Sequence, residues 1–305
     1  MLDLRLRVRI SQEELEQKIG KIVGDDDYNV LLTGPARVRK PDGRPLCVYL
    51  PGVMRRALDA PGVYEVLHSL RTQTTTNRGL ASGTQRMQGN KRSYAKPVAS
   101  AIVGAIEATG AQKYCRLTAW TGKNLPAWET LHPVLRGVAR HFAEQVPDRF
   151  AAQKAAADAT DPAWVVEGTP FTTITVNNTY PTGLHQDKGD LDEGFSTLMC
   201  LRRGRYTGGL LVLAEYRVAV DMQHGDLLLF DAHEWHGNTM IVCGCGKRLS
   251  GLCTECGAER ISVVSYFRTN MIKCGSPEEE YQRANRYREK GGGTGLNRRR
   301  RAAAV

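Results

Sequence analysis

His185-Gln186-Asp187, Gly225-Asp226-Leu227-Leu228-Leu229-Phe230-Asp231, His236-Gly237-Asn238 and Arg260-Ile261-Ser262-Val263-Val264 follow one another in this chain, and their reading decides the fold. His185 and Asp187 are two apart, so in an extended segment both side chains leave the same face. The apolar run Leu227 to Phe230 reads as a strand in the interior of a sheet. A histidine from beyond that strand would complete a set of two imidazoles and one carboxylate. Such a set holds non-haem Fe(II) on one face and leaves the other open for a co-substrate and O2. Three histidines compete for the third place. His224 precedes the strand and looks like a turn residue, whereas His233 and His236 lie three apart just past Phe230.

The rest of the chain sets bounds. It has 305 residues, 41% hydrophobic and 24% charged, an ordinary globular composition with length enough for a sizeable core. No apolar run approaches the roughly 20 residues that span a bilayer. The N-terminus alternates from Asp3 to Ile10 and carries no secretory apolar region, so we expect no signal peptide and no membrane association. Net charge is +10, with eight Lys or Arg and one acid in residues 281–305. Residues 66–106 contain no Asp or Glu but carry Arg71, Arg78, Arg86, Lys91, Arg92 and Lys96 among small polar residues. That segment reads as a soluble loop or as one that tracks phosphates, and the basic C-terminus favours nucleic acid. Cys47, Cys115, Cys200 and Cys274 are scattered rather than arranged as a disulfide framework, which favours a reducing, cytoplasmic compartment. A monomer is expected.

Taken in order, residues 3–10 predict a half-exposed strand, and Ser11 with Glu14 a capping box opening a helix to about Val23. Pro97 predicts the start of a buried helix over 98–108, and Cys115 to Trp120 a strand. Amphipathic helices follow over 127–146 and 149–159. The β-rich half opens at Phe171–Asn178 and continues through strands at 196–201, 209–214, 217–221, 226–230 and 260–268. Short strands parted by turns point to a sandwich or jelly roll. We therefore expect an α+β protein. A mostly helical N-terminal region, 1–165, carries the basic segment and packs on a β core, 166–274. A helix from Ser276 and a basic disordered tail occupy 275–305.

Cys243-Gly244-Cys245-Gly246 and Cys253-Thr254-Glu255-Cys256-Gly257 form two close pairs, each followed by glycine. Zinc knuckles present thiolates this way, so Cys243, Cys245, Cys253 and Cys256 are expected to hold structural zinc, with no open position for catalysis. Two disulfides are the alternative.

The ordered set resembles the double-stranded β-helix (jelly-roll, cupin-like) dioxygenases that use Fe(II) and 2-oxoglutarate. In those enzymes an Arg or Lys on a late strand clamps the distal carboxylate of 2-oxoglutarate, and Arg260 sits in that slot; its planar fork suits a carboxylate. His236 and Arg260 are 24 apart, and taking out the 14-residue block Cys243–Cys256 leaves the short spacing usual there. With its neighbours Trp235, Gly237 and Asn238, His236 resembles the family's distal His-Gly stretch and is taken as the third ligand, with His233 as the alternative or as a residue that hydrogen-bonds the site. Over about residues 75–270 the match narrows to the TET/JBP nucleic-acid base dioxygenases, notably their bacteriophage members, through His185-Gln186-Asp187-Lys188-Gly189-Asp190 and Trp235 to Thr239.

That resemblance implies oxidation of the 5-methyl group of a pyrimidine in DNA, first of all 5-methylcytosine, on a base flipped from the stack. His185, Asp187 and His236 would hold Fe(II), and Arg260 would hold 2-oxoglutarate. Asp190 would contact the base, unless it is a turn residue beside Asp192 and Glu193, and Asn177 and Asn178 would contact base or co-substrate. A viral member would work in its host's cytoplasm. Three other readings stay open: a thymine-oxidising enzyme, another Fe(II)/2-oxoglutarate hydroxylase, and a zinc-knuckle nucleic-acid-binding protein whose core is inactive.

Overall fold

The strands of this chain carry apolar side chains on both of their faces, and each face needs cover; the chain supplies it by layering two sheets and a set of helices. The computed structural model describes residues 1–75, 98–110 and 112–290, and the backbone of 87–88 and 91–92. The side chains of Arg78, Arg86, Lys91, Arg92 and Lys96, and the tail with Arg298 to Arg301, lie outside the described residues. In chain order the elements are β1 (Leu2–Arg5), α1 (Gln12–Glu16), β2 (Val30–Leu32), β3 (Ala36–Arg39), β4 (Pro45–Leu50), α2 (Arg55–Leu58), α3 (Val63–Ser69), β5 (Met87–Gln88), β6 (Lys91–Arg92), β7 (Ser100–Ile106), β8 (Arg116–Leu117), α4 (Ala119–Lys123), α5 (Leu125–Gln145) and α6 (Pro147–Asp158). They continue as β9 (Thr173–Asn178), β10 (Ser196–Arg203), β11 (Tyr206–Gly208), β12 (Leu211–Leu213), β13 (Val218–Val220), β14 (Leu227–Phe230), β15 (His236–Asn238), β16 (Ile241–Cys243), β17 (Arg248–Leu249), β18 (Glu259–Tyr266) and α7 (Pro277–Glu289).

The large sheet runs β1-β3-β4-β14-β10-β18-β9-β7-β8 and the smaller one β15-β12-β13-β2. The two-residue period of a strand assigns each residue to a layer. Leu198, Cys200, Leu228 and Phe230 of the large sheet meet Leu211, Leu213, Val218 and Val220 of the smaller one. The alternate residues Met199, Leu201, Leu227 and Leu229 face Leu58, Leu67, Leu131, Leu135 and Phe142 of α2, α3 and α5. This is the jelly-roll core braced by helices that the sequence predicts, and β11-β16-β17 forms a small third sheet carrying the cysteine block. No described helix is long and apolar enough to cross a membrane.

Four expectations need correction. Residues 1–165 are not a helical layer packed on a separate β core. They supply β1, β3, β4, β7 and β8 to the large sheet and β2 to the smaller one. Residues 98–108 are not a helix: Ser100–Ile106 pairs antiparallel with β9, Ser100 opposite Asn177 and Ile102 opposite Thr175. An apolar run has no period, so the pairing partner decides. Cys115 and Cys274 are joined by a disulfide (Cα–Cα 5.8 Å), tying β8 to the start of α7, where buried Glu280 accepts from the Cys115 N–H at 2.8 Å. The first strand stops at Arg5 and the strand expected over 115–120 shortens to Arg116–Leu117, because Thr118 caps α4. Ser11 does form its capping box with Glu14, though α1 ends at Glu16, and the helix expected from Ser276 opens with a capping box to Glu279.

Candidate iron and co-substrate site

His185 and His236 form an antiparallel bridge in which each N–H donates to the other's carbonyl at 2.9 Å, bringing the ring centroids to 4.3 Å. Each ring is then fixed through Nδ1, His185 on the Gly183 carbonyl at 2.8 Å and His236 on the Glu234 carbonyl at 2.9 Å. A carbonyl only accepts, so Nδ1 carries the proton and Nε2 keeps its lone pair, the tautomer a metal needs. Both Nε2 atoms face Asp187, at 3.6 Å from Oδ1 and 3.7 Å from Oδ2. The Asp187 backbone is held by its N–H bond to the Ala232 carbonyl at 2.9 Å. One donor atom from each of the three residues lies within 4.8 Å of the other two. Gly183, whose carbonyl fixes the His185 ring, lies against the backbone of Gly20, where a Cβ would stand 2.4 Å from the carbonyl oxygen.

The three residues line a cavity of about 140 Å³ between the sheets, with Asn177, Asp190 and Ser262 in its wall and exposed Lys188 at its rim. Asp190 is no loose turn residue. It is buried, accepts from the Ser196 hydroxyl at 2.6 Å, and its carbonyl takes the Thr269 hydroxyl at 2.8 Å. Burial and the neighbouring Asp187 carboxylate hold its carboxyl up at about 7, so near neutral pH it can donate as well as accept a hydrogen bond. His233 sits outside the cluster of three. Its Nδ1 meets Asp231 at 3.1 Å and its Nε2 reaches Asp192 at 3.1 Å and the Asp190 carbonyl at 3.3 Å.

Arg260 stands on the face of β18 that also carries Ser262, Val264 and Tyr266, all lining the cavity, although Arg260 itself does not line it. Its side chain is buried, and among the described residues Nη2 has no hydrogen-bond partner. A buried guanidinium N–H with nothing to bond is costly unless a ligand supplies the acceptor, and a carboxylate would do so. Asn177 and Asn178 diverge. Asn177 faces the cavity and accepts from the Ser100 hydroxyl at 2.6 Å. Asn178 points to the opposite face of β9, where its amide, Tyr64 and His68 hold the buried Glu259 carboxylate at 2.7, 3.0 and 2.8 Å. Asn178 is therefore removed from the substrate-facing set; adjacent strand residues cannot share a face.

Two features escaped the sequence reading. Arg268 lines the cavity and is clamped by Glu107, and Thr175 and Tyr266 share a hydrogen bond at 3.0 Å across β9 and β18. Counting in twos from Arg260 along the strand predicted over 260–268 reaches Arg268 and would have found it. Glu107, from a distant stretch of the chain, gave no signal.

The family model described as "Oxygenase domain of the 2OGFeDO superfamily" (Tet_JBP) matches residues 106–269, just over half of the chain. The chain belongs to the TET/JBP oxygenase family. Similar curated proteins include thymine dioxygenase JBP1 of Leishmania braziliensis, 31% identical over 188 residues (60% of this chain, 21% of that protein). The Trypanosoma brucei brucei protein of the same name is 32% identical over 193 residues (62% and 22%). This chain spans about a fifth of the length of these relatives. The solved structure "NgTET1 in complex with 5mC DNA" shares the fold at a TM-score of 0.50 and 15% identity, covering 87% of this chain and 94% of that one. Residues 106–269 contain the whole triad, Arg260 and the cysteine block, so this TET/JBP oxygenase carries its insertion inside the family domain.

Proposed function

We propose that this chain oxidises the 5-methyl group of a pyrimidine in DNA, using Fe(II), 2-oxoglutarate and O2. The reading is carried by one observation: His185, Asp187 and His236 converge on a single point of a cavity in a TET/JBP oxygenase. The donor set suits Fe(II), with two neutral imidazole nitrogens fixed from behind and one carboxylate. The unpartnered Nη2 of Arg260 suits the distal carboxylate of 2-oxoglutarate. Bound together, iron, 2-oxoglutarate and O2 supply the oxidising power: one oxygen atom enters the methyl C–H bond to give hydroxymethyl, the other enters succinate, and CO2 leaves.

The chain's own residues bind and orient. Asp190 presents a carboxyl on the cavity wall for the polar edge of a flipped base, and Lys188 at the rim suits a phosphate. Along β7, at Ser100 to Ile102, a groove of about 420 Å³ is lined by Gln73, Thr75, Gln112, Arg116 and Trp120, with no acid among the described residues that line it. Amides, hydroxyls, one guanidinium and one indole are the groups that take up nucleotides.

We assign 5-methylcytosine as the first substrate. Thymine is the second reading, favoured by the JBP1 relatives, which are named thymine dioxygenases. Nucleoside mass spectrometry after incubation with Fe(II), ascorbate and 2-oxoglutarate tests both. 5-Hydroxymethylcytosine from methylated DNA alone supports the first, and 5-hydroxymethyluracil from thymine-only DNA supports the second. Consumption of 2-oxoglutarate with neither product would overturn the DNA-base reading.

A further inference from the structure

We propose that the four-cysteine block binds a zinc ion whose loading sets the seat of Arg260, and through Arg260 the affinity for 2-oxoglutarate. The inference rests on Arg260 being the co-substrate's anchor, as read above. The donor chemistry comes first. The Cys245 sulfur lies 2.9 Å from that of Cys243, 3.5 Å from Cys253 and 3.7 Å from Cys256. All four sulfurs fall within 4.8 Å of one another. Zinc–sulfur bonds of about 2.3 Å in a tetrahedron put sulfurs about 3.8 Å apart, so one ion fits with small adjustment. Gly246 and Gly257, at φ +81° and +66°, turn the backbone behind each pair.

Next comes what holds the block closed. Its core consists of six buried residues, Tyr206, Ile241, Cys243, Leu249, Cys253 and Ala258. Two of the six are themselves ligands, and β17 is only two residues long. A core this small does not hold itself together, and in such units metal binding supplies the folding free energy.

The block reaches Arg260 through Gly209 and Ala258. A Cβ placed on Gly209 would stand 3.0 Å from Arg260 Cδ, 3.2 Å from its Nε and 3.1 Å from Ile241 Cγ1. The stem of Arg260 and the side chain of Ile241 therefore border the same point, two residues before Cys243. From the other end of the block, the Cys253 N–H donates to the Ala258 carbonyl at 3.0 Å, two residues before Arg260. Away from the block, Arg260 is tied through its backbone, its N–H to the Thr179 hydroxyl at 3.1 Å and its carbonyl to the Thr179 N–H at 2.6 Å. The strand is thus held independently of the block, whereas Gly209, which abuts the guanidinium stem, is packed beside Ile241, the residue that leads into the block. A fork whose use depends on orientation loses its aim when that packing loosens.

The test uses the full chain. Zinc is measured by mass spectrometry, and 2-oxoglutarate binding by calorimetry on iron-loaded protein without O2, so that no turnover is needed. We expect one zinc per chain, retained in Asp187→Ala. In Cys245→Ser we expect loss of zinc, unchanged iron and at least a tenfold rise in the dissociation constant for 2-oxoglutarate. Should that variant fail to fold, wild-type protein stripped by chelator before iron is added serves instead, and returning zinc should restore tight binding. Zinc-free wild-type protein as purified, or zinc loss with unchanged 2-oxoglutarate affinity, would overturn the inference. Wild-type protein that holds zinc but binds no 2-oxoglutarate would instead sink the reading of Arg260.

Discussion

At the scale of single residues, the cavity separates groups that hold from groups that tune. Among the described residues Asp187 is the carboxylate that faces both imidazoles, so Asp187→Ala should abolish turnover and iron retention while changing DNA affinity by no more than about twofold, because phosphate contacts dominate affinity. Activity surviving that change would show the metal assignment to be wrong. His233 offers a separate test by pH. Its hydrogen bond to Asp231, helped by that carboxylate's charge and opposed by burial, raises it from 6.5 to about 9. Asp231, which burial alone would raise, is brought down to about 2 by hydrogen bonds from His233 and Lys40. A raised folded value contributes stability in full below the unfolded one and loses it as pH climbs through the folded one. The gap is worth on the order of 3 kcal/mol. The denaturation midpoint of the wild type should therefore fall between about pH 6.5 and 9. His233→Gln should flatten that fall; an equal slope in both proteins would remove His233 as its source. The Asp231 contribution runs the other way and is lost only as pH drops from about 4 through 2.

At the scale of elements, β7 shows how tertiary pairing overrides local reading. Gly104 has φ +99°, and a Cβ there would lie 2.6 Å from the Thr172 carbonyl oxygen. Backbone strain and this clash act together, so Gly104→Ala should lower stability by about 2 kcal/mol or more in urea denaturation. A neutral result would mean that β7 and β9 separate at that point without cost. The strands predicted at 196–201 and 226–230 were legible because their alternate residues each have an apolar partner layer, and Ser11 and Ser276 because capping is local chemistry. The run after Pro97 was not, because it pairs with β9, a strand far along the chain, Ser100 with Asn177 and Gly104 with Thr173.

At the scale of the molecule, the N-terminal strands are joined to the site by buried charge. Lys40, at the end of β3, is 5% exposed and pairs with Asp231 at 2.7 Å and with Glu234, both in the segment that leads to His236. Removing one partner leaves uncompensated buried charge, so Lys40→Ala should cost about 3 kcal/mol. Unfolding by denaturant and 2-oxoglutarate binding in the same variant would show whether the site loosens with it. Unchanged stability would mean that water replaces the ammonium there.

What the sequence by itself determined is the chemistry that spacing encodes. His185 and Asp187 share a face because strands repeat every two residues, His236 follows a buried strand, and four cysteines close in chain come together because their backbone brings them within reach of one another. The tertiary structure alone decided which distant groups meet. It turned Asn178 away onto Glu259, set Arg268 against Glu107, joined Cys115 to Cys274 and brought Ile241 and Arg260 alongside Gly209. Each of these depends on strand register and on layers closing over one another, and no local period carries that information.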